Sequence, residues 1–190
     1  KVQALTNLLT DHRNRLPYAK ANASTPKPQA QSRVILPNYQ KLKGMMHGFI
    51  DLIFQSDGKF YVCDYKSSHL GDSFNDYQEE HLLINIEGNY YDLQYLIYSL
   101  ALHRYLKVQL PDYQEEQHFG GVFYLYLRGM SDQPCGVNQS NKNSQQTGVY
   151  FTQVLPELLE QLDSLFSDTE FSANTAASPT EPLTKTSEHN

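Results

Sequence analysis

His47 to Ser67 reads HGFIDLIFQSDGKFYVCDYKS: two strand-like runs joined by Asp57-Gly58, with Asp51, Asp64 and Lys66 set among apolar neighbours. Successive side chains of a strand point to opposite faces. Asp64 and Lys66 therefore share a face with Val62 and Phe60, and Asp51 shares one with His47, Phe49 and Ile53. An Asp-Gly pair favours a two-residue hairpin turn, because both central positions need positive φ. That turn pairs Ser56 with Lys59, Phe54 with Tyr61, and hence Asp51 with Asp64. Directly opposed residues bring their Cβ atoms to about 4.5–5.5 Å, where like charges destabilise the pair. Two carboxylates across one ladder, with a lysine two residues on, call for a neutralising partner, and a divalent cation is an economical one.

The surrounding chain limits what this hairpin can belong to. At 190 residues there is room for one domain with a core. Apolar residues make up 39%, and the dilution is concentrated at the two ends. No apolar run reaches 18 residues and Lys1 opens no leader pattern, so neither a membrane span nor a membrane partner is expected. Cys63 and Cys135 lack metal spacing and read as free thiols of a reducing, cytoplasmic compartment. A net charge of −6 argues against a dedicated nucleic-acid module. A nuclease site must itself carry acids, however, and DNA can be delivered by other domains, so the charge favours a catalytic piece of something larger.

Around the hairpin, VQALTNLLTDHR at 2–13 has the spacing of a short amphipathic helix. Residues 17–33, rich in Pro, Ala, Ser, Gln and Lys, read as a linker, and Arg33–Pro37 as a short edge strand. A polar loop follows Lys66, and Asp76–Ile86 reads as a helix capped by Asn75 or Asp76 and broken at Gly88-Asn89. Tyr90–Val108 is the strongest helix. At 100° per residue its Asp92, Ser99, His103 and Lys107 form one stripe, assigned to solvent; Gln94, Tyr98, Ala101 and Tyr105 form the opposite, inward one. His118–Arg128 reads as a strand buried on both faces. Val149–Gln153 reads as a short strand, Leu155–Phe166 as an amphipathic helix, and the Ser/Thr/Ala/Pro/Glu-rich end as disordered. The expected divisions are 1–33 (helix and linker), 34–167 (the folded domain) and 168–190 (tail). The fold class is α/β, a mixed sheet whose antiparallel hairpin gains its third strand by a helical crossover.

Two carboxylates offer hard oxygen ligands to Mg²⁺, which keeps several waters and takes further oxygens from a phosphate. Such an ion lowers the pKa of a water and offsets charge on phosphoryl oxygens, and Lys66 can help orient or deprotonate that water. The competing reading is a surface hairpin with merely exposed acids, against which stand Phe49, Ile53, Phe60 and Val62 on the same face. Gln94 and Tyr98, one helical turn apart, can hold a phosphate or base of a passing strand, or can be a satisfied core pair. His47 is a candidate ligand or a structural strand histidine. Cys63 lies on the opposite hairpin face from the acids, and Gly120-Gly121 lacks the context of a phosphate loop.

GFIDLIF, YVCDYKS, YDLQYLIYSLALHRYL and HFGGVFYLYLRG, in this order between Gly44 and Arg128, resemble the C-terminal nuclease domain of RecB. RecB is the beta subunit of exodeoxyribonuclease V, the RecBCD helicase–nuclease, and its nuclease domain has the restriction-endonuclease-like PD-(D/E)XK fold. By position the resemblance implies metal-binding acids at Asp51 and Asp64, a metal-directed backbone carbonyl at Tyr65 and a catalytic lysine at Lys66. Gln94 and Tyr98 match the family's Q-x-x-x-Y element, which lies along the DNA path. The implied cofactor is Mg²⁺, with Mn²⁺ or Ca²⁺ able to substitute in binding. The implied partners are single-stranded DNA from unwinding and the RecC and RecD subunits.

The family pattern also has a histidine on a helix well upstream, with an adjoining strand, completing the metal site. Residues 1–33 offer no match, and His12 lacks the context. The chain is therefore expected to be N-terminally truncated relative to that pattern, with weak metal affinity and low activity. Two functions follow as expectations: a Mg²⁺-dependent deoxyribonuclease of double-strand break repair and recombination, or a weakly active module that docks the recombinase RecA or another subunit.

Overall fold

Strands β1 (Leu52–Ser56) and β2 (Lys59–Lys66) form the expected hairpin. Asp57 and Gly58 sit at φ 49° and 79°, as a turn with two left-handed residues requires. The register runs from Ser56↔Lys59 through Phe54↔Tyr61 to Leu52↔Cys63, so its continuation sets Asp51 against Asp64. The computed structural model describes residues 2–16, 34, 36, 48–131 and 147–167. The readings of His47, Cys135 and the tail fall outside these residues, as does the whole of the 17–33 linker. Val34 and Leu36 are described and neither is in a strand.

After β2 the chain makes a short 3₁₀ turn at Phe74–Tyr77 before helix α2 (Glu79–Gly88). The cap is Ser73, which forms a reciprocal box with Asp76. The expected single helix is thus two pieces separated at Gln78, because the box closes one turn too early to start the helix. Gly88 ends α2, and Tyr90, at φ 54°, leads into α3 (Tyr91–Gln109). These helices carry the chain over to β3 (Phe119–Tyr126), parallel to β2; β4 (Val149–Thr152) adds antiparallel to β3. The four-stranded sheet has the order β1-β2-β3-β4. A parallel pair joined through a helical connection is the crossover predicted from the element order.

Gly120-Gly121 serves this sheet. A Cβ on Gly120 would lie 2.3 Å from the Tyr61 ring, and one on Gly121, at φ 135°, would lie 2.6 Å from the Thr152 carbonyl. Only glycine lets the ring and the neighbouring strand approach so closely at the bulge between Phe60 and Tyr61.

On the inner sheet face Val62, Val122, Tyr124 and Tyr150 are buried, together with Tyr95, Leu96 and Leu102 of α3. Helices α1 (Val2–Arg15) and α4 (Pro156–Ser167) cover the far side, with Leu5, Leu9, Leu159 and Leu162 in the same core. Helix α3 is therefore enclosed from two sides, and this overturns the face assignment made from its polarity. Asp92, Ser99 and His103 are fully buried, whereas Ala101 and Tyr105 are exposed. The physical reason is pairing. Arg13 of α1 reaches Asp92, and Glu115 lies 3.0 Å from His103 Nδ1, so a polar stripe can face inward.

Candidate active site

The C-terminal end of β2 delivers two charged side chains to the inner face. Asp64 and Lys66 are only 5% and 7% exposed, and Lys66 Nζ lies 2.7 Å from Asp64 Oδ2. A buried ammonium needs its donors used. A second one goes to Gln94 Oε1 at 2.8 Å, and the Tyr91 and Tyr124 ring centroids lie 3.7 and 4.5 Å from Nζ. The Tyr124 hydroxyl is 2.9 Å from Gln94 Oε1 and 2.8 Å from the Tyr91 carbonyl. Its single hydrogen serves one of these acceptors at a time. Gln94 Nε2 donates to the Tyr98 hydroxyl at 3.1 Å, which fixes the amide with its carbonyl towards the lysine. Burial, reinforced by the negative charge of Asp64, pushes the Tyr124 phenol far above its ordinary pKa, so it stays a neutral donor.

Asp51 sits at the other corner. It lies one residue before β1, is exposed, and through Oδ2 accepts the Tyr65 N–H at 2.9 Å. That bond moves its carboxylate across the ladder to the level of the Asp64–Lys66 segment. A strand residue's N–H and C=O face the same neighbour, so the Tyr65 carbonyl is on the Asp51 side too. Each carboxylate keeps an oxygen, Oδ1, uncommitted by these bonds. The donor set of two carboxylates and a backbone carbonyl suits a hard cation that retains several waters. Among the described residues no cluster of three or more His, Cys, Asp and Glu exists, so a larger protein cage is not formed by them.

The structure thus brings Asp51, Asp64, Tyr65 and Lys66 together at one strand end and sets Gln94 and Tyr98 beside them. Phe49 and Ile53, expected to shield the acids, are 78% and 43% exposed; Val62 alone of that apolar set is fully buried. Cys63 is buried on the opposite sheet face, as its parity demands. Two residues at the site were not picked out from the sequence, Tyr91 and Tyr124. Their signals were present: Tyr91 precedes Gln94 by one helical turn, and Tyr124 is the β3 partner of Asp64.

The PD-(D/E)XK nuclease superfamily profile matches residues 9–178. The chain belongs to this superfamily. It is 44% identical over 128 residues to RecBCD enzyme subunit RecB of Haemophilus influenzae, and 40% identical over 129 residues to that of Escherichia coli. These matches take in 67% and 68% of the chain, and each covers 10% of the relative. RecBCD enzyme subunit RecB of Mycobacterium tuberculosis is 43% identical over 98 residues, which are 51% of the chain and 9% of that protein. The matched region thus spans about a tenth of the length of the curated relatives. The mixed sheet flanked by helices is that of a RecB-like PD-(D/E)XK nuclease domain, a family whose chemistry is phosphodiester hydrolysis and which typically uses a divalent metal.

Proposed function

We propose that this domain is a Mg²⁺-dependent deoxyribonuclease acting on single strands released by DNA unwinding. The reading places it in the cytoplasm, in a RecBCD-type assembly with RecC and RecD subunits, working in double-strand break repair and recombination. The observation that carries it is the strand end itself. A buried, lysine-paired Asp64 lies beside an exposed Asp51 anchored on the next backbone N–H, in a chain of this nuclease family.

Asp51, Asp64 and the Tyr65 carbonyl would hold the ion. When bound, a divalent cation offsets charge developing on phosphoryl oxygens and makes water easier to deprotonate. Lys66 presents a positive charge to the reacting phosphate and orients the attacking water. Gln94 and Tyr98, both half-buried, position the passing strand.

Calorimetric titration with Mg²⁺ or Mn²⁺ tests the ion site. If these acids hold the ion, Asp51→Ala and Asp64→Ala each weaken binding at least tenfold, about 1.4 kcal/mol. Variants that bind as the parent does would remove the assignment.

A second reading rests on α3, where Tyr105 and Val108 are 59% and 80% exposed. That surface is where a RecA-type recombinase or a neighbouring subunit would dock. Capture of recombinase without metal-dependent cleavage of single-stranded DNA favours it over the nuclease.

A further inference from the structure

The Lys66 ammonium is received by a built socket. Asp64 and Gln94 take two of its N–H groups at 2.7 and 2.8 Å, and the faces of Tyr91 and Tyr124 close on it at 3.7 and 4.5 Å. Both ring distances are within the range over which a cation is drawn to an aromatic quadrupole. Tyr124 is fully buried, so packing holds its ring in place, and its hydroxyl is bonded to the Tyr91 carbonyl. Its bond partners, Gln94 and the Tyr91 backbone, are two of the other three residues of the socket. Tyr91 and Tyr124 also touch each other edge to face, with centroids 5.9 Å apart. Helix α3 and strand β3 thereby hold one flexible side chain from two directions.

We propose that Tyr91 and Tyr124 form an aromatic clamp that positions Lys66, with the Gln94 amide oxygen holding the same ammonium. The inference rests on the nuclease reading for its purpose, but not for its geometry. A lysine side chain carries several rotatable bonds and about 2 kcal/mol of rotamer entropy. With Asp64 as the only anchor, the ammonium could follow that carboxylate wherever it turns. The rings and the amide fix its direction independently of Asp64, which leaves the carboxylate's other oxygen open to a cation. Tyr91 and Tyr124 are positioning residues; Lys66 is the group that meets the phosphate.

The test reads Lys66 directly, in the full chain without metal or DNA. With ¹³C-labelled lysine, and Lys66→Arg to assign the signal, the Lys66 ε-methylene resonance lies upfield of the exposed lysines because of the ring currents. Tyr91→Phe keeps that shift, and Tyr91→Leu returns the resonance towards the exposed lysines. With Mg²⁺ and a single-stranded oligonucleotide, Tyr91→Leu lowers kcat about tenfold with KM within about twofold, and Tyr91→Phe recovers most of the loss. Should Tyr91→Leu not fold, Tyr124→Phe takes its place. It keeps the ring shift and loses kcat, because only the hydroxyl that orients Gln94 is gone. An unshifted Lys66 in the parent overturns the clamp, as does a Tyr91→Leu defect found in KM alone. A shifted Lys66 in a protein that cleaves no DNA with any divalent cation upholds the clamp and sinks the nuclease reading. Metal-dependent cleavage with an unshifted Lys66 does the reverse.

Discussion

Lys66 and Asp64 are held out of water together, and a buried pair is worth little until one half is removed. Lys66→Met strands a carboxylate that is 5% exposed, and is expected to cost about 3 kcal/mol of stability. The double variant Asp64→Asn/Lys66→Met removes the stranded charge and should recover most of it, although both abolish cleavage. Chemical denaturation of the two singles and the double gives the coupling energy. If the double is no more stable than Lys66→Met, the pair is not what holds the strand end. Asp51 differs: it is exposed and bonded to one backbone N–H, so Asp51→Ala should change stability by less than about 1 kcal/mol while removing a metal-facing oxygen. Stability therefore separates two acids whose loss lowers metal affinity alike, a distinction that their shared spacing pattern conceals.

The elements differ in how openly the sequence announces them. The β1–β2 hairpin was legible down to its register, because Asp57-Gly58 selects the turn and the period of two does the rest. The parallel placement of β3 followed from the intervening helices, and the grouping of Asp51, Asp64 and Lys66 followed from the register, whereas Tyr65 was suggested only by the family resemblance. Helix α3 was legible as a helix and illegible as to its faces. Its polar stripe is buried because Arg13, far away in sequence, donates through Nη2 at 3.0 Å to Asp92, and no local pattern contains that partner. The same burial leaves Ser99 Oγ and His103 Nε2 without partners among the described residues. A buried hydroxyl with no hydrogen bond costs about 1–3 kcal/mol, so Ser99→Ala should stabilise the domain by about 1 kcal/mol. Arg13→Ala should destabilise it by about 3 kcal/mol, since Asp92 would then be buried alone. Thermal unfolding of the two variants should give shifts of opposite sign. Two shifts of the same sign would mean that α3 is not packed as described. The clamp was the least legible part, since it joins an unremarked tyrosine of α3 to one in a strand read only as apolar.

At the scale of the whole molecule, α1 is tied to α3 by a polar core as well as by leucines, and that core responds to acid. His12 of α1 is 4% exposed and its Nε2 lies 2.6 Å from the Tyr95 hydroxyl of α3. Burial, and then the positive charge of Arg13 beside it, lowers its pKa from 6.5 to about 4. Asp11 opposes the shift weakly, and Arg15 adds to it. A histidine that is harder to protonate when folded makes the unfolded chain the better proton acceptor. Stability must then fall as pH falls. The His12 contribution is complete above pH 6.5, is lost between 6.5 and about 4, and changes no further below that. At about 1.4 kcal/mol per pKa unit the loss is more than about 3 kcal/mol, a sizeable part of a typical domain's stability. His103, likewise lowered to about 4, chiefly by burial, acts in the same direction from the other end of α3. Denaturant titrations from pH 7.5 to 4 should therefore show a steep decline in the parent. The decline should be shallower by up to one proton's slope in His12→Gln, which keeps a partner for Tyr95 without a titrating ring. Equal slopes in the two proteins would mean that His12 is not held neutral between α1 and α3. Loss of stability without a change of slope would assign it a packing role alone.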